Sequence, residues 1–284
     1  MLTFLKNEKL SVSISSVGAE LKSIKYKGEE KLWNGDERFW SGQAPVLFPI
    51  CGRLKENRYT YEGKEYFLAQ HGFAREKEFL TEYAGEEKAV FLLKSDDETK
   101  KQFPFEFELR ITYTLIENAV KIDYSVKNCG ENTMYFSIGA HEAHACPSGI
   151  EDYSVIFEKK EKFESTLPCG RFLAHEKETI SEEGTELKLK YKYFNTDALV
   201  FTDLKSRKAI LKNNVTGAGT ELDFNGFDYF LLWTKPQAGY ICLEPWCGLH
   251  DYADDNYDIT KKAGINKVEP GCEFARTHTI KYCV

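Results

Sequence analysis

Alternation of apolar and polar residues with a period of two runs through most of this chain and leaves few folds open to it. Successive side chains of a strand point to opposite faces, so such a pattern describes half-buried β-structure. Leu10–Ser15 alternates cleanly, and Tyr59–Leu68 reads as two strands turning at Glu62-Gly63. Phe79–Tyr83 and Lys88–Lys94 flank Ala84–Glu87 in a second hairpin; Phe105–Leu115 and Ala119–Val126 flank Ile116–Asn118 in a third. All are rich in β-branched and aromatic residues. Ala198–Asp203 and Arg207–Lys212 follow, joined by the turn-like Leu204-Lys205-Ser206. Sustained helical periodicity is missing, and the best short helix is Asp36–Trp40 with Asp36 as its N-cap. Many short strands at close spacing predict an all-β fold, a large antiparallel β-sandwich or barrel with few short helices. No Pro/Gly/Ser-rich linker or fixed-period repeat divides the chain, so residues 1–284 read as one domain.

Charge and composition exclude several functions. The formal net charge is −7, and Lys-rich pieces such as Glu158–Lys162 are interleaved with Glu, so they read as solvated faces. Nucleic-acid binding needs clustered cations, and none are found. The longest apolar runs, such as Ala44–Cys51, are too short to span a bilayer. The N-terminal residues carry no apolar core or cleavage site of a signal peptide, and no pair of the eight cysteines has CxxC spacing. Reduced thiols in the cytoplasm are the expectation.

Four segments break the strand texture. Pro45–Arg53 places two prolines and a glycine around an apolar run, which reads as a buried edge or loop delivering Arg53 to a fixed point. Taken alone, it reads more readily as a surface arginine after a turn. In Gln70–Arg75 a glycine beside His71 permits close approach of a ligand or another backbone, although a lone histidine is more often structural. If Thr133–His141 is a strand, Met134, Phe136, Ile138 and Ala140 share one face. Tyr135, Ser137, Gly139 and His141 share the other, a polar face able to hold a polyol. In Tyr240–Trp246, Ile241 and Leu243 point inward, leaving Tyr240, Cys242, Glu244 and Trp246 opposite. A carboxylate among aromatics on such a strand is costly unless used or paired. Aromatic faces suit the C–H face of a pyranose, and carboxylates suit its hydroxyls.

Metal and nucleophile chemistry read poorly. His141 and His144 are spaced i, i+3 in strand-like sequence, which points them to opposite faces, and no CxxC or second histidine pair completes a shell. No metal is expected. GxSxG and GxxxxGK[ST] are both absent.

Together and in this order, APVLFPICGR (44–53), QHGFAR (70–75), FSIGAH (136–141) and ICLEPW (241–246) resemble the aldose 1-epimerase (mutarotase) family, closest to its LacX-type subgroup. The likeness runs from about Gly18 to the C-terminus. It implies a β-sandwich with a sugar site on an open sheet face. The implied reaction interconverts the α and β anomers of a free sugar by general acid–base catalysis, without a cofactor. By the same resemblance Glu244 is the base and His141 the acid. Arg53 and His71 hold substrate, Asp197 matches an aspartate that binds hydroxyls, and Trp246 supplies an aromatic face. Related sequences often carry proline after the acid histidine; this chain has Glu142 and then His144, which could pair with or rival His141. A phosphosugar epimerase gripping phosphate through Arg75, Lys55 or Arg53 is an alternative, as is a non-catalytic sugar sensor. Glycoside hydrolysis is more distant, because it usually needs two carboxylates about 5–9.5 Å apart.

Overall fold

The computed structural model describes residues 1–283. Its backbone is mainly antiparallel strand. A nine-stranded sheet runs, edge to edge, through Phe172–Lys188, Tyr153–Cys169, Lys208–Asn213, Gly219–Asp223, Glu273–Cys283, Ala119–Asn128, Phe107–Ile116, Lys88–Lys94 and Leu80–Ala84. A five-stranded sheet is centred on Tyr240–Cys247, flanked by Tyr229–Trp233 and Leu199–Phe201 on one side. Ile138–Gly139 and Glu142–Ala145 both pair on its other side. The N-terminal strands, Leu2–Lys6 through Glu29–Glu30, form a four-stranded sheet of their own.

The alternation dictates how these layers face. Ile241 and Leu243 join Ile111, Ile122, Tyr124 and Ile280 of the large sheet in one continuous apolar core, which also takes up Val12, Ile14 and Ile24. Met134, Phe136, Ile138 and Ala140 enter the same core. Tyr240, Cys242, Glu244 and Trp246 lie on the opposite face of the smaller sheet, in or beside two satellite clusters. The expected β-sandwich and its inward and outward residues are therefore both present.

Local expectations fare unevenly. Arg58–Tyr61 and Lys64–Phe67 form the anticipated hairpin, with Glu62 and Gly63 at φ 49° and 74° in the left-handed region that tight hairpin turns require. Asp36–Trp40 is a turn rather than a helix: Asp36 caps the backbone N–H of Arg38, and its carbonyl accepts from Phe39 and Trp40. The true α-helix is Asp97–Gln102, closed by a reciprocal Asp96–Thr99 capping box. Leu199–Phe201 and Lys208–Asn213 are not a hairpin, because the chain crosses between the sheets there. Glu161 holds this crossover, accepting the backbone N–H groups of Lys205 and Ser206 and the Ser206 hydroxyl. One carboxylate of the supposedly solvated stretch 158–162 is thus buried and structural.

The stretch 133–141 is two short strands instead of one. Met134–Phe136 pairs with Asn266–Val268, whereas Ile138–Gly139 pairs with Cys247 and Trp246. Ser137 donates its N–H to Pro49 between them. Among the described residues no helix is long and apolar enough to cross a membrane. All eight cysteines are free thiols.

Candidate functional site

Pro245 explains how the site forms. In an antiparallel ladder the N–H and C=O of one residue point toward the same neighbour. Pro245 accepts from the Ala140 N–H through its carbonyl at 3.1 Å, but it has no N–H to return. The ladder therefore lapses between Ile138–Gly139 and Glu142–Ala145. His141 sits in that gap and reaches across to Glu244, the residue before the proline. Its Nε2 lies 3.4 Å from the Glu244 Oε1. Gly139 is needed for the same approach, since a Cβ there would meet the Trp246 ring at 2.6 Å.

Loops close the face of the sheet into a cavity of about 280 Å³ lined by Trp40, Arg53, His71, Asp197, Glu244 and Trp246 among others. Pro45–Arg53 passes over the sheet edge, bridged by Leu47 to Gly139, and is almost wholly buried. It delivers Arg53, whose Nη1 donates to Asp197 Oδ2 at 2.8 Å while Nε donates to Gln70 Oε1 at 3.1 Å. His71 and Gly72 have φ of 66° and 68°. A Cβ on Gly72 would strike the Phe48 carbonyl at 2.3 Å, so glycine is obligatory where the two loops cross. The Gly52 N–H donates to His71 Nδ1 at 3.1 Å. His71 stands edge-on to both His141 and Trp246, each centroid pair 5.6 Å apart.

Burial governs the electrostatics. It pushes Glu244 well above the usual carboxylate range, with the negative charge of Asp197 adding to the effect. It lowers His141 to about 4 and holds His71 well below its ordinary value. Asp197 goes the other way: burial alone would raise it, but the hydrogen bond and charge of Arg53 prevail and lower it. Glu244 Oε1 and His141 Nδ1 are buried without a hydrogen-bond partner. A buried polar atom without a partner in the fold calls for one from outside it, a water, an ion or a ligand.

Every residue picked out from the sequence as catalytic or substrate-holding reaches this cavity: Glu244, His141, Arg53, His71, Asp197 and Trp246. Trp246 contributes a wall only, since its ring N–H is already committed to the Ala140 carbonyl at 3.0 Å. Of the polar face Tyr135, Ser137, Gly139 and His141, only His141 lines the cavity; Ser137 is fully buried. Lys55 does not line it, and its Nζ instead donates to the Asp255 carbonyl. Arg75 does line it. His144 is removed as a rival acid, because it lies with Glu142 on the core side of its strand, where burial lowers it to about 4. Glu142 pairs with His278 of the large sheet, Oε1 to Nε2 at 3.1 Å. Trp40, Trp233, Lys235 and His250 also line the cavity and were not anticipated. Trp40 and Trp233 flank the His141 ring at 5.1 and 5.6 Å. Their signal was present only as aromatic positions in a loop and on a strand, with no spacing that marks a site.

One metal-capable group emerges among the described residues. His141, Cys242 and Glu244 each offer a ligand atom, all within 4.8 Å of one another and all buried. The two histidines at 141 and 144 do not form one. A roomier hollow of about 370 Å³ beside Glu161, Lys177 and Asp203 has its buried carboxylate already satisfied by the Lys205 and Ser206 N–H groups and the Ser206 hydroxyl.

Comparison with known proteins agrees with this architecture. The family model described as aldose 1-epimerase matches residues 1–267. The plasmid-borne protein LacX of Lactococcus lactis subsp. lactis is 36% identical over 281 residues, covering 94% of each chain. The solved structure of a galactose mutarotase related enzyme from Lactobacillus acidophilus superposes with a TM-score of 0.93 at 32% identity, over 100% of this chain and 98% of that one. A galactose mutarotase-like protein from Lactobacillus casei gives 0.94 at 28% identity, with both chains wholly covered.

Proposed function

The chain belongs to the aldose 1-epimerase family of carbohydrate isomerases, and we propose that it interconverts the α and β anomers of a free hexose, with Glu244 as base and His141 as acid. The observation that carries the reading is the meeting of these two side chains, one from a strand and one from the gap beside it, at 3.4 Å in one buried cavity. The Glu244 carboxylate takes the proton from the anomeric hydroxyl, and protonated His141 gives one to the ring oxygen. The C1–O5 bond breaks as the C1 carbonyl forms. Rotation about C1–C2 and reversal of both transfers yield the other anomer. Each positioned acid or base contributes typically about 10²–10⁴-fold. Arg53 and Asp197 hold hydroxyls as an oriented pair, His71 adds a neutral polar group, and Trp40 and Trp233 offer apolar faces to the sugar ring.

The test follows fresh α-D-glucose and α-D-galactose toward anomeric equilibrium by polarimetry or NMR. The expected result is acceleration by the wild type that Glu244→Gln abolishes. Sugar binding with no acceleration of any free or phosphorylated sugar would overturn the enzyme reading in favour of a sensor.

A second reading, a sugar-phosphate substrate, has one observation in its favour. Arg75 and Lys235 both line the cavity. Arg75 has a neighbouring carboxylate only at 3.6 Å, from Glu76, and the Lys235 ammonium lies over the Trp233 ring at 5.6 Å. Arg53, by contrast, is committed to Asp197. If phosphate is the anchor, hexose 6-phosphate competes strongly and Arg75→Ala removes that preference. If free sugars are turned over equally well by Arg75→Ala and phosphate gives no advantage, the free-hexose reading stands.

A further inference from the structure

The strand Tyr240–Cys247 carries Cys242 and Glu244 two residues apart on its outer face, and the ladder gap places His141 against them. The result is one imidazole nitrogen, one thiol and one carboxylate whose ligand atoms all lie within 4.8 Å of one another. None is more than a tenth exposed: His141 is 7%, Cys242 0% and Glu244 1% accessible. The Glu244 Oε1 has no hydrogen-bond partner. Orphaned polar atoms at such depth are costly unless something binds them.

We propose that His141, Cys242 and Glu244 form a binding site for a thiophilic divalent cation, zinc above all, and that its occupation inhibits the isomerase. The donor set mixes N, S and O, which suits zinc and excludes magnesium or calcium, whose ligands are all oxygen. Zinc binds these donors at about 2.0–2.3 Å in a tetrahedron, which sets ligand atoms roughly 3.3–3.6 Å apart. His141 Nε2 and Glu244 Oε1 already stand at 3.4 Å, so the adjustment falls on the Cys242 side chain. The cavity that His141 and Glu244 line leaves room for a fourth ligand, a water or a sugar hydroxyl. On binding, the Cys242 thiol gives up its proton to solvent, and the proton held between Glu244 and His141 leaves as well. Thiolate and carboxylate then cancel the charge of the ion, and no electron is transferred. The ion occupies the carboxylate and the imidazole nitrogen that proton transfer needs, so inhibition competes with sugar. The inhibition rests on the reading of His141 and Glu244 as the proton-transfer pair; the binding does not.

Two readouts test this separately. Cobalt(II) titrated into the whole reduced protein is expected to give a thiolate-to-cobalt charge-transfer absorption that Cys242→Ala removes and zinc displaces. Anomerisation is expected to be inhibited by zinc chloride, not by magnesium chloride, and restored by a chelator. Cys242→Ala should keep its uninhibited rate within about twofold and need at least about 10–100-fold more zinc. Cys242→Ser serves as the second variant should alanine leave a destabilising void. Inhibition equal in wild type and both variants, or a cobalt absorption unchanged in them, overturns the site by assigning the metal to other cysteines. Catalysis indifferent to zinc overturns the inhibition. If the cobalt absorption depends on Cys242 but no sugar is anomerised, the metal site stands and the isomerase reading fails.

Discussion

Glu244 and His141 are shifted in opposite directions for the same reason. Burial penalises charge, so it raises the carboxyl well above its ordinary range and lowers the imidazole to about 4. Both shifts favour the uncharged pair. In the proposed ring opening the ion pair is the starting state and the uncharged pair is the end, because one proton would have gone to Glu244 and one left His141. An environment that disfavours the ion pair therefore makes the opening step easier. The unperturbed values, about 4.3 and 6.5, suggest a carboxylate and histidine ready-made for neutral pH; with both displaced by burial, the proposed mechanism has the pair act on one shared proton. It titrates as a unit. The expected kcat/KM profile is bell-shaped. It falls on the acid side near pH 4 as the pair takes a second proton, and on the alkaline side as it loses its last. An acid limb at about 6.5, where an ordinary histidine titrates, would show that His141 acts alone.

Two features at the scale of the strand hold this pair in place. Pro245 keeps the ladder open beside His141, so Pro245→Ala supplies an N–H that can close it. The expected outcome is a loss of about 10–100-fold in kcat, since misplacing a reacting group by 1 Å costs on that order, with Tm unchanged or higher. A wild-type kcat in this variant would remove the proline from the account. Behind His141, Glu142 and His278 tie the smaller sheet to the larger through the core, 3% and 1% exposed and 3.1 Å apart. His278 also stacks on Tyr124 at 5.6 Å. Breaking a buried pair strands the remaining polar group, so Glu142→Ala is expected to cost about 3–5 kcal/mol in urea unfolding. Replacing both residues by leucine should recover most of that loss. If the double replacement is no better than the single, the pair is not the source of the cost.

At the scale of the whole molecule, alternation was enough to read an antiparallel sandwich or barrel and to sort Ile241 and Leu243 from Glu244 and Trp246, and the family resemblance chose the sandwich. The six site residues were legible because four unusual segments carry five of them. Asp197 was the faint one, being set by a loop that meets Arg53 only after folding. What the sequence hid is non-local. Period-two reasoning cannot tell a hairpin from a crossing between sheets, so Leu199–Phe201 and Lys208–Asn213 looked like partners. Nor can it say which strand faces a gap, so the meeting of Cys242 with His141 was invisible, as was the pairing of Glu142 with His278 from the far end of the chain. Trp40 and Trp233 show the same limit: each reads as an ordinary core aromatic until the fold places both beside the His141 ring.

The account stands on Glu244 and His141 acting as one proton-transfer unit. The direct measurement is the rate of anomerisation of a fresh α-hexose with wild type, Glu244→Gln, His141→Asn and the double variant. Residues that work as a unit are grossly non-additive. Each single change is therefore expected to cost nearly as much as both together. Losses that simply multiply, or a Glu244→Gln enzyme that keeps the wild-type rate, would contradict it.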